Sequence, residues 1–451
     1  MDGKQRWTID TGAKTETIRF SKFSNVKTSE KGVLVADSAM NCDCKNGVLS
    51  RGIGCECVLD ENDTKVWVNG EVCMASMAYL YVRNGSEYEK RMLCLEERGS
   101  LLLYMKEYNE FEKVESFENG SKMLSIVDEN KNFQYVIYGK KGVSLFNEED
   151  KRKDLEFCAT AACVYNDRLF LAVPPFRILY SKPGHPDEFS EVLDESGEIF
   201  YFGGTGDEVI AMQALETCMY LFTAHGITRM RMKGAAREFV LEKVDYAGGE
   251  IFGNSVGLFG NRICFLASDG VYLFDGSRVK KGYEKLPIFP KRTGQVCSYS
   301  VFEGKYLLRY TDWNGDKMLV LDGDGENGYF SFIAEGLCAL EGEALFKNRD
   351  ELCRFSQSEM LPDGCHAVFT SEKLDFGGKT ALKEICVTGE GSVTVIVTAD
   401  GVQKTVKLTC EGGRAKSKLR CYGEEFVIAL RLENADSKVR ALDLIVEKIR
   451  G

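Results

Sequence analysis

A loose repeat organises this chain. A turn, an apolar strand, a short loop and a second apolar strand recur through its middle. The plainest copies are Asn166-Asp167 before Arg168–Val173, Gly260-Asn261 before Arg262–Leu266, and Glu303-Gly304 before Lys305–Tyr310. Weaker copies begin near Ser86, Asn130, Glu216 and Gly342, giving seven anchors about 43 residues apart on average. A four-stranded propeller blade takes roughly 40–50 residues, so the period is that of blades. No segment of this region carries a sustained helical face. Glycine is frequent, at 45 residues, against only 7 prolines, which suits tight hairpins turned on Gly, Asn and Asp. The expected fold is all-β: a β-propeller of about seven blades, within a range of six to eight, followed by a small antiparallel β-sandwich.

The expected boundaries follow from where this pattern starts and stops. Residues 1–70 read as strands and hairpins, including the turn Asp60-Glu61-Asn62-Asp63, and are expected to close the ring by adding an outer strand to the last blade. The propeller would span 71–357. A linker follows at 358–365, centred on Pro362-Asp363-Gly364. Beyond it, 366–451 holds short alternating strands such as Val393–Val397 and Phe426–Leu430, the pattern of a sandwich.

Charge narrows the classes of partner. The 451 residues carry 58 basic and 69 acidic side chains, a net −11, which argues against nucleic acid as the main partner. Residues 366–451 hold 14 basic and 12 acidic groups, about +2, leaving −13 on the rest. Within that tail Arg414, Lys416, Lys418 and Arg420 alternate, so one strand face carries a basic stripe. It reads either as a solvated face or as an assembly contact with an acidic neighbouring subunit. Met1–Trp7 is polar, and no apolar run reaches the ~18 residues of a membrane-spanning helix, so neither secretion nor membrane insertion is expected.

The 17 cysteines are scattered through apolar, strand-like runs, and in a reducing compartment they stay free and act as small buried groups. Cys42-Asp43-Cys44 and Cys55-Glu56-Cys57 have the form of a four-thiolate zinc site. A hairpin turn at Lys45-Asn46-Gly47 would place Cys44 near Val48 and Cys42 near Ser50, away from the second pair, so core or half-buried strand positions are expected instead. Gly253-Asn254-Ser255-Val256-Gly257 matches the Gly-x-Ser-x-Gly elbow but runs into a turn and a strand where the elbow needs a helix. His185, His225 and His366 read as loop residues. Asp322–Gly328 alternates oxygen ligands but lacks the glycine and glutamate of a calcium loop. Gly203-Gly204-Thr205-Gly206 lacks the βαβ setting of a dinucleotide loop. No sialidase-type Ser-x-Asp-x-Gly-x-x-Trp turn occurs; Ala267-Ser268-Asp269-Gly270 comes nearest. Neither a catalytic residue, nor a metal site, nor a cofactor is expected.

Several stretches carry a resemblance. Asn41-Cys42-Asp43 precedes Gly47-Val48-Leu49 and Arg51. Arg177-Ile178-Leu179-Tyr180-Ser181 precedes Pro186-Asp187-Glu188-Phe189. Gly206–Ala211, Tyr220–Thr223, Gly226–Met230, Phe265–Tyr272 (with Gly270) and Arg420–Ile428 continue in order. In this arrangement the chain resembles the β-propeller structural proteins encoded in tailed-phage and prophage virion gene clusters. It departs from them in Phe189, where Trp is common, and in its cysteine-rich hairpins. The resemblance implies a non-enzymatic virion component of the tail, neck or tip, made in the bacterial cytoplasm and working by contacts with other virion proteins and with copies of itself. The alternative is a carbohydrate-binding propeller, adhesin- or lectin-like, facing a cell-surface glycan. A solvent-exposed aromatic platform built on Trp7, Trp67 or Trp313 would favour it; a glycoside hydrolase ranks third.

Overall fold

The computed structural model describes residues 4–449 apart from 7–14, 26–27, 61, 70–71, 85–86, 148–150, 190–195, 201–206, 233–238, 285–287, 324–326, 330–332, 357–360 and 362–364. The expected linker at 358–365 therefore lies almost wholly outside the described residues. Strands dominate, and among the described residues there is no α-helix. The chain divides into two compact units. One comprises Cys57–Lys317 with Ile333–Phe355, the other Met1–Glu56 with Met318–Phe332 and Ser356–Gly451.

The first unit is a seven-bladed β-propeller. The innermost strands of blades 1 to 7 are Met74–Asn84, Lys122–Val127, Ala161–Tyr165, Ala211–Leu215, Gly257–Phe259, Ser298–Phe302 and Glu335–Leu340. Each touches the next, and the seventh touches the first, so the ring is closed. Six of the seven sequence anchors, from Asn130 to Gly342, fall where the innermost strand of a blade turns into the second. The hairpin geometry explains why those residues recur. Tyr165 faces Arg168 and Phe302 faces Lys305, and the two residues between them are left-handed: Asn166 at φ 49°, Asp167 at 56°, Glu303 at 48° and Gly304 at 73°. Two-residue turns of this kind match the strand twist and favour Asn, Asp and Gly. The anchor at Ser86 lies between described strands but outside the described residues.

Apolar second and third strands fill the spaces between blades. Phe222 and Phe265, from blades 4 and 5, meet edge-on at 5.6 Å, and Phe265 stacks on Tyr272 at 5.5 Å. Blade 7 shows how the ring closes. The strand Gly54–Cys57 leads into Val58, whose N–H bonds the Leu352 carbonyl at 2.8 Å. The chain then leaves in a hairpin in which Asp60 Oδ1 accepts the Asn62 and Thr64 N–H groups, both at 2.8 Å. It returns to the same edge: Leu352 N–H bonds the Val66 carbonyl at 3.0 Å, and Val68 N–H bonds that of Asp350 at 2.8 Å.

The second unit is a mostly antiparallel sandwich, with Lys4–Arg6 and Lys22–Ser24 each pairing in parallel, that draws on three separated segments. Glu16–Phe20 pairs with 442–446, and Val33–Met40 pairs with Ala367–Ser371. Here the structure departs from the expected boundaries. Residues 1–56 belong to the sandwich, and 366–451 is not a complete domain. The reason is burial: Phe20, Phe23 and Leu34 are at most 2% exposed, and Phe23 meets Phe369 edge-on at 5.6 Å. Without the N-terminal strands that apolar face would meet water.

Candidate functional site

The residues singled out by the resemblance serve the scaffold. Asn41 is buried at φ 54°, and its Nδ2 donates to the His366 carbonyl at 2.8 Å. Asp43 Oδ1 accepts the Lys45 N–H at 3.0 Å. Gly47 is at φ 76°, where a Cβ would lie 2.9 Å from Lys22 Cγ. Arg51 pairs with Cys42 across the hairpin, so the register is one residue longer than expected. A short 3-10 turn at Lys45–Gly47 absorbs the extra residue. Cys42, Cys44 and Cys55 are buried, as core positions require.

In blade 3, Arg177 Nη1 donates to Glu198 at 3.3 Å. Ser181, fully buried, accepts the Leu169 N–H at 3.0 Å through Oγ. Phe189 meets Phe157 edge-on at 5.3 Å. The Gly226 carbonyl closes the turn by accepting the Thr223 N–H at 2.9 Å, and Gly270 takes φ 142°, a conformation that L side chains rarely adopt. Ser255 of the elbow-like motif sits in a 3-10 turn, and its Oγ donates to the Phe252 carbonyl at 2.6 Å while accepting the Leu266 N–H at 2.8 Å. Gly203–Gly206 and Asp324–Glu326 lie outside the described residues.

The basic stripe lies on the open face of Arg414–Leu432, where exposed and covered residues alternate from 414 to 420. Arg414 pairs with Asp443 at 3.1 Å, and Lys416 approaches Glu384 at 3.6 Å. Lys418 and Arg420 meet no carboxylate among the described residues.

A feature that sequence reasoning missed is the central channel. It holds about 860 Å³ and is lined from all seven blades. Lys122, Cys163, Cys297, Ser298, Tyr299 and Arg309 are among its polar walls. Burial lowers the Lys122 amine below the usual lysine range, with the Cys297 thiol opposing. Burial also pushes Cys297 up to about 12 and Cys163 up to about 11. Both thiols are therefore protonated at neutral pH and poor nucleophiles. Arg309 is held by Asp316 at 2.8 Å. Only residue types on inner strands could have signalled the channel, and Lys122 sits in an otherwise apolar Lys-Met-Leu stretch.

A second missed group joins Cys57 to Glu351 and Cys353, whose ligand atoms lie within 4.8 Å of one another. Its trace in the sequence is Glu351-Leu352-Cys353, two residue types suited to metals on one strand face.

No protein-family model matches the chain, and no curated protein sequence matches it. Among solved structures it is similar to virginiamycin B lyase from Staphylococcus aureus, with 7% identity over 67% of this chain and 99% of that one, at a TM-score of 0.45. It is also similar to U3-55K (10% identity, 67% and 99% covered, TM-score 0.43) and to the RRP9 WD40 repeats (10%, 67% and 97%, 0.40). No helix among the described residues is long and apolar enough to cross a membrane.

Proposed function

We propose that this chain is a non-enzymatic structural component of a tailed-phage or prophage virion, acting through contacts with neighbouring virion proteins and with copies of itself. The single observation that carries the reading is the exposed stripe on Arg414–Leu432. A rigid strand there presents Lys418 and Arg420 without carboxylate partners among the described residues, in a chain of net −11. Such a stripe suits a partner of net negative charge, and residues 1–365 of a neighbouring copy carry −13. The resemblance of the ordered segments supports the virion setting. The role of Asn41, Ser181 and Ser255 as backbone partners supports a scaffold, since those polar groups are occupied in holding turns and strands.

The test is charge reversal. Lys416→Glu with Lys418→Glu should reduce assembly and particle incorporation while the monomer stays folded. Wild-type assembly should weaken across a salt series, because exposed charges are screened beyond ~8 Å at physiological ionic strength. Each exposed pair contributes only ~0–1 kcal/mol, so the loss should be graded. Wild-type behaviour of the double variant would return the stripe to a solvated face.

One observation favours a second reading, carbohydrate binding. Trp313 is 76% exposed and Phe289 is 65% exposed, and their chain neighbours Asp312 and Pro290 are joined by a β-bridge on blade 6. Trp67 is 46% exposed, and Trp7 lies outside the described residues. Glycan binding abolished by Trp313→Ala would make that reading the better one.

A further inference from the structure

Three metal-binding side chains meet on the edge where the propeller ring closes. Cys57 ends the strand Gly54–Cys57, while Glu351 and Cys353 stand two residues apart on Glu351–Ser356. Cys57 and Glu351 are 294 positions apart in the chain, yet the Cys57 thiol donates to Glu351 Oε2 at 3.1 Å. Lys65, on the returning arm of the hairpin, holds the other oxygen, Oε1, at 2.7 Å. Cys353 is buried, and Cys57 is half-buried. The two sulfurs and one carboxylate oxygen lie within 4.8 Å of one another. Around a tetrahedral zinc ion, with Zn–S about 2.3 Å and Zn–O about 2.0 Å, such atoms stand about 3.5–4 Å apart, so a small closing movement suffices.

We propose that Cys57, Cys353 and Glu351 bind a thiophilic divalent cation of the zinc type, clamping the seam of the ring. Two thiolates and one carboxylate suit zinc rather than magnesium or calcium, and a water molecule completes four-coordination. Glu351 uses Oε2, and Lys65 keeps Oε1, orienting the ligand from behind. Charge closes as well: two thiolates, one carboxylate, a divalent cation and the Lys65 ammonium sum to zero. Binding releases the two thiol protons to solvent, so affinity falls as pH falls. The inference is independent of the virion reading, because a clamped seam serves a propeller in any setting.

The experiment uses the full chain, reduced, stripped with chelator and titrated with Co²⁺. One equivalent should give sulfur-to-cobalt charge-transfer absorption, with two protons released per ion, and Zn²⁺ should bleach the band. Cys353→Ser should remove it, and Cys44→Ser should leave it intact. Should Cys353→Ser fail to fold, Glu351→Gln keeps the volume of the seam and should weaken Co²⁺ binding by about tenfold or more. A folded wild-type chain with no charge-transfer band at one equivalent would overturn the proposal. So would a band that survives in folded Cys353→Ser, or one whose affinity Glu351→Gln leaves unchanged.

Discussion

The exposed guanidinium of Arg414 reaches past Cys386 to hydrogen-bond the buried carboxylate of Asp443 at 3.1 Å. Its Nε donates to Cys386 Sγ at 2.8 Å on the way, and Arg19 approaches the other Asp443 oxygen at 3.7 Å. The side chains of Arg414 and Asp443 are 64% and 4% exposed. One end of the basic stripe is thus anchored to the sandwich, while Lys418 stands in solvent. Arg414→Ala leaves a buried carboxylate short of a partner, which is costly in a low dielectric. Its melting temperature should fall by a few degrees, and Asp443→Asn in the same chain should recover part of the loss. Lys418→Ala should change it by about a degree or less. Strictly additive effects of the Arg414 and Asp443 changes would contradict the coupling.

Ser255 is a strut of blade 5. Its hydroxyl satisfies the Leu266 N–H, and the Tyr306 hydroxyl donates to its carbonyl. Ser255→Ala strands a buried donor, and should cost about 1–3 kcal/mol in denaturant unfolding. Fluorophosphonate should label neither protein; labelling of the wild type that the substitution abolishes would make Ser255 a nucleophile.

The buried thiols and phenols set the behaviour in alkali. Burial pushes Cys338 and Cys297 from 9.0 up to about 12, and Tyr220 and Tyr299 from 10.0 up to about 12. The unfolded chain loses these protons first, so above about pH 9 it binds fewer protons than the native chain. Their contribution to stability is whole below pH 9 and is lost as the pH climbs towards 12. Lys122, with its lowered value, acts in the opposite direction. Urea midpoints should fall steadily between pH 8.5 and pH 10.5; a flat or rising series would contradict the buried protonated thiols.

Residues 366–451 should not fold alone. They lack Glu16–Phe20, which pairs with 442–446, and Val33–Met40, which pairs with 368–371. Expressed alone, this fragment should show no cooperative thermal transition. A sharp transition at wild-type temperature would show that the N-terminal strands are dispensable.

The blades were legible because their information is local. Asn166-Asp167 and Glu303-Gly304 advertise two-residue turns whichever strands surround them. The sandwich was only half legible, because its pairings are distant. Nothing near Ile18 announces Leu444 as its partner, and alternation alone gives a strand a face but not a neighbour. The cysteines show the same limit. Cys57 belongs to a local Cys-x-Cys pattern, yet its structural partner is Glu351, which only ring closure brings near. Lys122 could be read as a strand lysine, but its place in a channel follows from seven blades converging on one axis.

The proposed role as a virion component can be read from particle composition. Gradient-purified particles from cells expressing the chain should be quantified by mass spectrometry, with the free soluble fraction measured alongside. The chain should appear in the particles at a fixed ratio to the other structural proteins, with the ratio reduced by Lys416→Glu and Lys418→Glu together. Particles that lack the chain while it accumulates, folded, in the free fraction would contradict it.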